Sequence, residues 1–156
     1  RRKGLDVSID TLEHKIFDIA GIRVVCDFQD DIYTLEQLLT QQDDITVLTR
    51  KDYIANPKPN GYRSLHLIVS TPIFLTTGKK MMNVEVQFRT IAMDFWASVE
   101  HKLKYKKEIA SPELFSAKLE KCASDLALID QQMQEIRTEI DSANHKNDYA
   151  DFFDAG

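Results

Sequence analysis

Apolar positions recur along this chain with two different periods. Asp10 and Glu13 have the spacing of a capping box, and Leu12, Ile16 and Phe17 supply an apolar stripe behind it, so a short helix is predicted over about 10–17. Ile19-Ala-Gly-Ile-Arg-Val-Val-Cys26 is a compact run rich in β-branched residues, which predicts a strand buried on both faces with Arg23 as a conspicuous charge inside it. Asp30 or Asp31 is expected to cap a helix in which Ile32, Leu35, Leu38 and Leu39 recur at helical spacing, and residues 45–53 return to strand character. The opening reads as a helix followed by a β-α-β unit.

Beyond Ile54 the prolines of Ala-Asn-Pro-Lys-Pro-Asn, ahead of Gly61, block regular pairing and predict a rigid, exposed loop. Alternation runs from Tyr62 to Ser70, a break is expected at Thr71-Pro72, and a turn near Thr77-Gly78-Lys79 leads back into alternation from Met82 to Arg89. Neighbouring antiparallel strands are the simplest reading. Ile91, Phe95, Trp96, Val99 and Leu103 then place one apolar side on a helix from Thr90 to about Lys106, with Trp96 expected in the core. After Pro112 a long helix carries Leu114, Leu119, Leu126, Ile129, Met133, Ile136 and Ile140 for packing on the domain or on another subunit, and the stretch from Ala143 is expected to fray. The pattern predicts an α/β (α+β) fold, a mixed and mostly antiparallel sheet flanked by helices.

Composition narrows the class. The chain has 156 residues, 43% hydrophobic and 29% charged, enough for one domain with a real core, and wholesale disorder is excluded. Its formal charge of -5 disfavours a general electrostatic grip on nucleic acid, so RNA is not expected as the main ligand and any anion site must be local. No apolar run is long enough for a membrane span and the N-terminus lacks a signal-peptide pattern, so a cytoplasmic location is expected. Cys26 and Cys122 have no metal-site spacing and read as reduced core or near-core thiols.

Candidate chemistry falls on the strand faces. In Val84-Glu-Val-Gln-Phe-Arg89, Glu85, Gln87 and Arg89 share the face opposite Val84, Val86 and Phe88. Taken alone, that face also fits a solvated outer surface. The preceding strand puts Tyr62, Ser64 and His66 on one face, and beside the basic loop the whole fits a ligand platform on which Tyr62 can stack on a planar base while Lys51 and Lys58 hold phosphate oxygens. Asp18 lies just before the first strand; if that strand neighbours the one carrying Glu85, the carboxylates converge, and such oxygen ligands suit Mg2+. Asp18 equally fits a helix end or a turn.

Three segments in order, Phe17-Asp-Ile-Ala-Gly-Ile-Arg23, Lys51-Asp-Tyr-Ile-Ala-Asn-Pro-Lys-Pro-Asn-Gly-Tyr-Arg-Ser-Leu-His66 and Val84-Glu-Val-Gln-Phe-Arg-Thr90, closely resemble the synthetase domain of RelA/SpoT-like alarmone enzymes. The chain is similar to a single-domain small alarmone synthetase, in its RelP-type branch. The resemblance implies a nucleotidyltransferase-like synthetase domain over 1–107 and a helical oligomerisation segment over 108–156. It also implies transfer of the β,γ-pyrophosphate of ATP to the 3'-hydroxyl of GDP or GTP, giving ppGpp or pppGpp. Asp18 and Glu85 would hold Mg2+, with Glu85 also accepting the hydroxyl proton. Arg2 and Arg23 match ATP contacts, Tyr62 matches the residue that stacks on guanine, and Lys51, Lys58, His66 and Gln87 match acceptor or phosphate contacts. A homotetramer formed through the C-terminal helices is implied as well.

The family's basic ATP loop would precede Arg1. Thr49-Arg50-Lys51-Asp52 keeps only the Lys-Asp half of the pattern found in bifunctional members, which leaves acceptor preference open. His101 beside Glu100 resembles a family pair that orients acceptor groups, and equally fits a surface pair. Asp94 stands at a position whose match in the RelQ-type branch, activated by its product at a subunit cleft, looks like Asn, and would repel a phosphate there; it equally fits a first-turn acid favoured by the helix dipole. The alternative class is a non-catalytic guanine-nucleotide- or RNA-binding regulator on the same fold.

Overall fold

The computed structural model describes residues 20–105 and 112–153. The predicted helix over 10–17, Arg2 and Asp18 lie outside them. In chain order the elements are β1 (Ala20–Cys26), α1 (Gln29–Thr40), β2 (Thr46–Asp52), β3 (Leu65–Leu75), β4 (Gly78–Thr90), α2 (Ile91–Tyr105) and α3 (Pro112–Phe153). Among the described residues the strands form one sheet in the order β1-β4-β3-β2, with β1 parallel to β4 and the other neighbours antiparallel. The expected mixed, mostly antiparallel sheet is present. The β-α-β unit is split, because β3 and β4 insert as a hairpin between β1 and β2.

Period-two burial decides the faces. Leu65, Leu67 and Val69 on β3 pair with Phe88, Val86 and Val84 on β4, and all six are buried with Ile32 of α1 in the main core. The same registers put His66 opposite Gln87 on β4 and opposite Lys51 on β2, on the other face. Thus α1 covers the apolar face and the polar face remains for chemistry.

Four local expectations are corrected. Strand β1 is not buried on both faces: among the described residues it pairs with β4 alone, and Ile22 is 54% exposed. Neither Asp30 nor Asp31 caps α1. Phe28 occupies the N-cap without a side-chain bond, while Asp31 takes an ion pair from Arg137 of α3 at 2.6 Å. Strand β3 does not break at Thr71-Pro72, because β2 begins only opposite Ser70; Pro72 therefore pairs with Met81 while meeting no β2 residue on its other side. Finally, the stripe on α2 divides: Trp96 is buried with Ala97 and Ala123, whereas Ile91, Phe95, Val99 and Leu103 are exposed.

Helix α2 starts at a side-chain cap that its pattern does not advertise. The Met93 N–H donates to Thr90 Oγ1 at 3.2 Å, and the Thr90 hydroxyl donates to Asp130 of α3 at 2.6 Å. Trp96 is core as expected, and its indole N–H reaches the Leu119 carbonyl at 2.9 Å. Helix α3 thereby straps α2, the end of β4 and α1. It remains helical past Ala143 to Phe153, where weak apolar periodicity predicts fraying. Cys26 is buried as expected, but Cys122 is exposed on α3 and is not a core thiol.

Candidate active site

The polar face is organised by the turn that ends the proline-rich loop. Asp52 Oδ1 accepts the Ile54 and Ala55 N–H groups at 3.0 and 2.9 Å, so the chain turns sharply as it leaves β2. The Gly61 N–H then donates to the Lys58 carbonyl at 2.8 Å and the Tyr62 N–H to Asn60 Oδ1 at 3.2 Å. Gly61 has φ +85°, a left-handed conformation that favours glycine. The turn delivers Tyr62 to the head of β3. Alternation also divides the Arg50-Lys51-Asp52 motif: Arg50 bonds Glu36 of α1 and Asp52 bonds Tyr33 of α1, while Lys51 lies across from His66 on the polar side.

Four side chains on this face form a hydrogen-bond chain. Arg89 Nη2 donates to the Tyr62 hydroxyl at 2.9 Å, that hydroxyl lies 2.8 Å from His66 Nε2, and His66 Nδ1 lies 3.0 Å from Glu85 Oε1. Burial holds the His66 imidazole below its ordinary value; the Glu85 carboxylate pulls it up, and Arg89 and Lys58 push it down. A neutral imidazole carries one N–H, and a carboxylate only accepts, so the proton belongs on Nδ1 and Nε2 accepts from Tyr62. Each donor in the chain then points toward Glu85. Arg89 also donates to Gln87 Oε1 at 3.0 Å and to Asp94 Oδ1 at 2.9 Å.

Aromatic rings frame this chain. Tyr53 and His66 meet edge to face at 5.4 Å, Tyr53 and Tyr62 at 6.1 Å, and the Lys58 ammonium sits 4.9 Å from the Tyr62 ring centroid. The structure thus brings together Tyr62, His66, Glu85, Gln87, Lys58 and Lys51. Ser64 shares the alternation but not the surface, since it is fully buried and donates to the Phe88 carbonyl at 3.0 Å. Glu100 accepts from Asn60 at 3.2 Å, while His101 is exposed.

Strand β1 does neighbour β4, which was the condition for Asp18 and Glu85 to converge. Gly21 stands opposite Glu85, and Asp18 lies three residues before Gly21, outside the described residues. Among the described residues, no cluster of three or more metal-binding side chains exists. Glu85 nevertheless fits a hard cation: its hydrogen bond uses Oε1, and its side chain is 27% exposed. Arg23 projects beside Gln87 and is half exposed.

Arg89 and Asp94 were missed as site residues. Arg89 carried a signal, since it continues the Glu85-Gln87 face, but its burial to 5% exposure follows from packing rather than alternation. Asp94 was expected to repel a ligand at a subunit cleft. Within the chain its carboxylate is paired with Arg89 and with Arg23, whose Nη1 atoms lie 2.9 and 3.4 Å from Oδ1.

A sequence profile described as the region found in RelA / SpoT proteins matches residues 1–110. The chain belongs to this family. It is 44% identical over 140 residues to the GTP pyrophosphokinase YwaC of Bacillus subtilis, covering 90% of this chain and 67% of that protein. The GTP pyrophosphokinase YjbM of the same organism is 41% identical, covering 92% and 66% respectively. The crystal structure of small alarmone synthetase 2 from Bacillus subtilis superposes with a TM-score of 0.79 at 45% identity, covering 88% of this chain and 71% of that one. That of small alarmone synthetase 1, bound to its product pppGpp, gives 0.77 at 40% identity, covering 90% and 70%. The RelA/SpoT chain described here therefore spans about two thirds of the length of these relatives.

Proposed function

We infer that this chain is a GTP pyrophosphokinase that makes the alarmones ppGpp and pppGpp. The supporting observation is the chain from Arg89 through Tyr62 and His66 to Glu85, which fixes one carboxylate beside an aromatic and basic platform in a family whose named relatives are GTP pyrophosphokinases. In the reaction, the 3'-hydroxyl oxygen of GDP or GTP attacks the β-phosphorus of ATP. A new O–P bond forms, the bond from the β-phosphorus to the α,β-bridging oxygen breaks, and AMP leaves.

Glu85 accepts the proton of the attacking hydroxyl, and His66 holds the carboxylate in orientation through Oε1. Tyr62 stacks on the guanine, displacing the exposed Lys58 ammonium from its ring toward the phosphates, while Lys51, His66 and Gln87 contact the acceptor. Arg2 and Arg23 hold ATP, Arg23 through a planar fork suited to phosphate oxygens or adenine. Asp18 and Glu85 would hold Mg2+, which when bound neutralises and polarises the phosphate oxygens.

Residues 1–107 carry this chemistry and 108–156 assemble subunits, as a homotetramer in the cytoplasm. The exposed Ile129, Met133, Ile136 and Ile140 of α3 support assembly, since they offer a long apolar face to a partner. The deciding test is to incubate the full-length protein with Mg2+, ATP and GDP. AMP and ppGpp should appear in equal amounts; binding of both nucleotides without either product would favour a regulator over an enzyme.

A further inference from the structure

Asp94, in the first turn of α2, stands between Arg23 of β1 and Arg89 of β4. Its Oδ1 receives Arg89 Nη1 at 2.9 Å and lies 3.4 Å from Arg23 Nη1. Arg89 in turn donates from Nη2 to both the Tyr62 hydroxyl and Gln87. One polar path thus runs from β1 through the first turn of α2 to the turn that presents Tyr62. Its ends differ in freedom: the Arg23 side chain is 52% exposed, Asp94 is 26% exposed and Arg89 only 6%. The exposed charge lies at one end and the buried one at the other.

We propose that Asp94 is a positioning residue that ties Arg23 to the acceptor platform through Arg89, so that filling the donor half-site tightens binding in the acceptor half-site. This rests on the reading of Arg23 as a donor-nucleotide contact and of Tyr62 and Gln87 as acceptor contacts. One carboxylate oxygen is shared between two guanidinium groups. A polyphosphate arriving at Arg23 draws that guanidinium toward itself, and the Asp94 charge falls wholly to Arg89. The Arg89 fork is then held more firmly against Tyr62 and Gln87, which the acceptor must find ordered. Without the carboxylate, two cations face each other and the path is cut. Asp94 cannot easily move away, because α2 is fixed at its start by the Thr90 cap and by Asp130.

The test is calorimetric titration of the full-length protein with GDP in Mg2+, with and without saturating α,β-methylene ATP, whose bridge cannot be cleaved. The unmodified protein should bind GDP at least ~5-fold tighter with the analogue present, and the reverse titration should give the same factor, since coupling is reciprocal. Asp94→Asn keeps an acceptor for Arg89 but not the charge that holds Arg23, and should abolish the factor. Arg89→Lys cuts the path on its other side, keeps the charge and should do the same, which covers the case that one variant fails to fold. Coupling that survives in either folded variant, or independent binding of the two nucleotides to the unmodified protein, overturns the proposal and leaves the assigned activity standing. Failure to bind either nucleotide overturns that activity together with the proposal.

Discussion

The ring and the hydroxyl of Tyr62 touch different partners, so their contributions can be removed separately. The hydroxyl stands between Arg89 and His66, whereas the ring meets Lys58, Tyr53 and, at 6.5 Å, Trp96. Tyr62→Ala should weaken GDP binding by ~1 to 3 kcal/mol, the usual scale for a lost base stack, and leave ATP binding much less affected. Tyr62→Phe keeps the ring but releases both His66 Nε2 and Arg89 Nη2, so GDP affinity measured without ATP should hold, its tightening by the ATP analogue should shrink, and kcat should fall by up to ~100-fold through misplacement of Glu85. Calorimetry and initial rates separate these outcomes; equal weakening of both nucleotides by Tyr62→Ala would point to a structural role. Glu85→Gln goes further, because it removes the base itself. Turnover should drop at least ~100-fold with an unchanged circular dichroism spectrum. Near-normal synthesis by that variant would take Glu85 out of the mechanism.

At the scale of elements, Gly61 links the site to α3. A Cβ at this position would run into the Ala123 side chain and come within 3.4 Å of the Glu120 backbone, and the φ of +85° disfavours any L side chain. Gly61→Ala should therefore cost ~1 to 3 kcal/mol as an overpacked contact, read as a lower urea midpoint. It should also raise KM for GDP, since the turn that delivers Tyr62 must shift. Much of this arrangement was legible beforehand: alternation placed Leu65 and Leu67 opposite His66, and the Asn-Gly pair marked the turn. Pairing partners were not. Pro72 reads as a break until β2 is seen to begin only opposite Ser70, and β1 reads as doubly buried until its register with β4 alone is known. Adjacency of Gly21 and Glu85 is a long-range contact that no local period reports. Arg89 and Asp94 were hidden for the same reason, because each acquires its role only when β1, β4 and the start of α2 meet.

For the whole molecule, α3 both closes the domain and presents a surface. Leu119, Ala123 and Leu126 turn inward to Trp96, while Ile129, Met133, Ile136 and Ile140 stay exposed at spacings of four, three and four residues. Ile129→Lys with Ile136→Lys should lower the mass seen in light scattering without unfolding the chain; an unchanged mass would sink assembly through this face. Between inward and outward faces lies Asp130, 9% exposed, which accepts the Thr90 hydroxyl and so joins α3 to the end of the strand carrying Glu85. Burial pushes its carboxyl up from the ordinary value near 3.8, opposed by the Thr90 bond and by the positive charge of Arg63. An acid whose folded value is raised holds its proton more tightly in the native state. Its contribution to stability is therefore complete below the ordinary value and is lost as pH rises through the raised one. Asp130→Asn keeps an acceptor for Thr90 and removes the buried charge. Its melting temperature relative to the unmodified protein should climb as pH is raised from about 3.9 toward neutrality. A difference that stays constant across that range would mean that the Asp130 charge carries no desolvation cost, and that α3 is held to β4 by packing and the Thr90 bond alone.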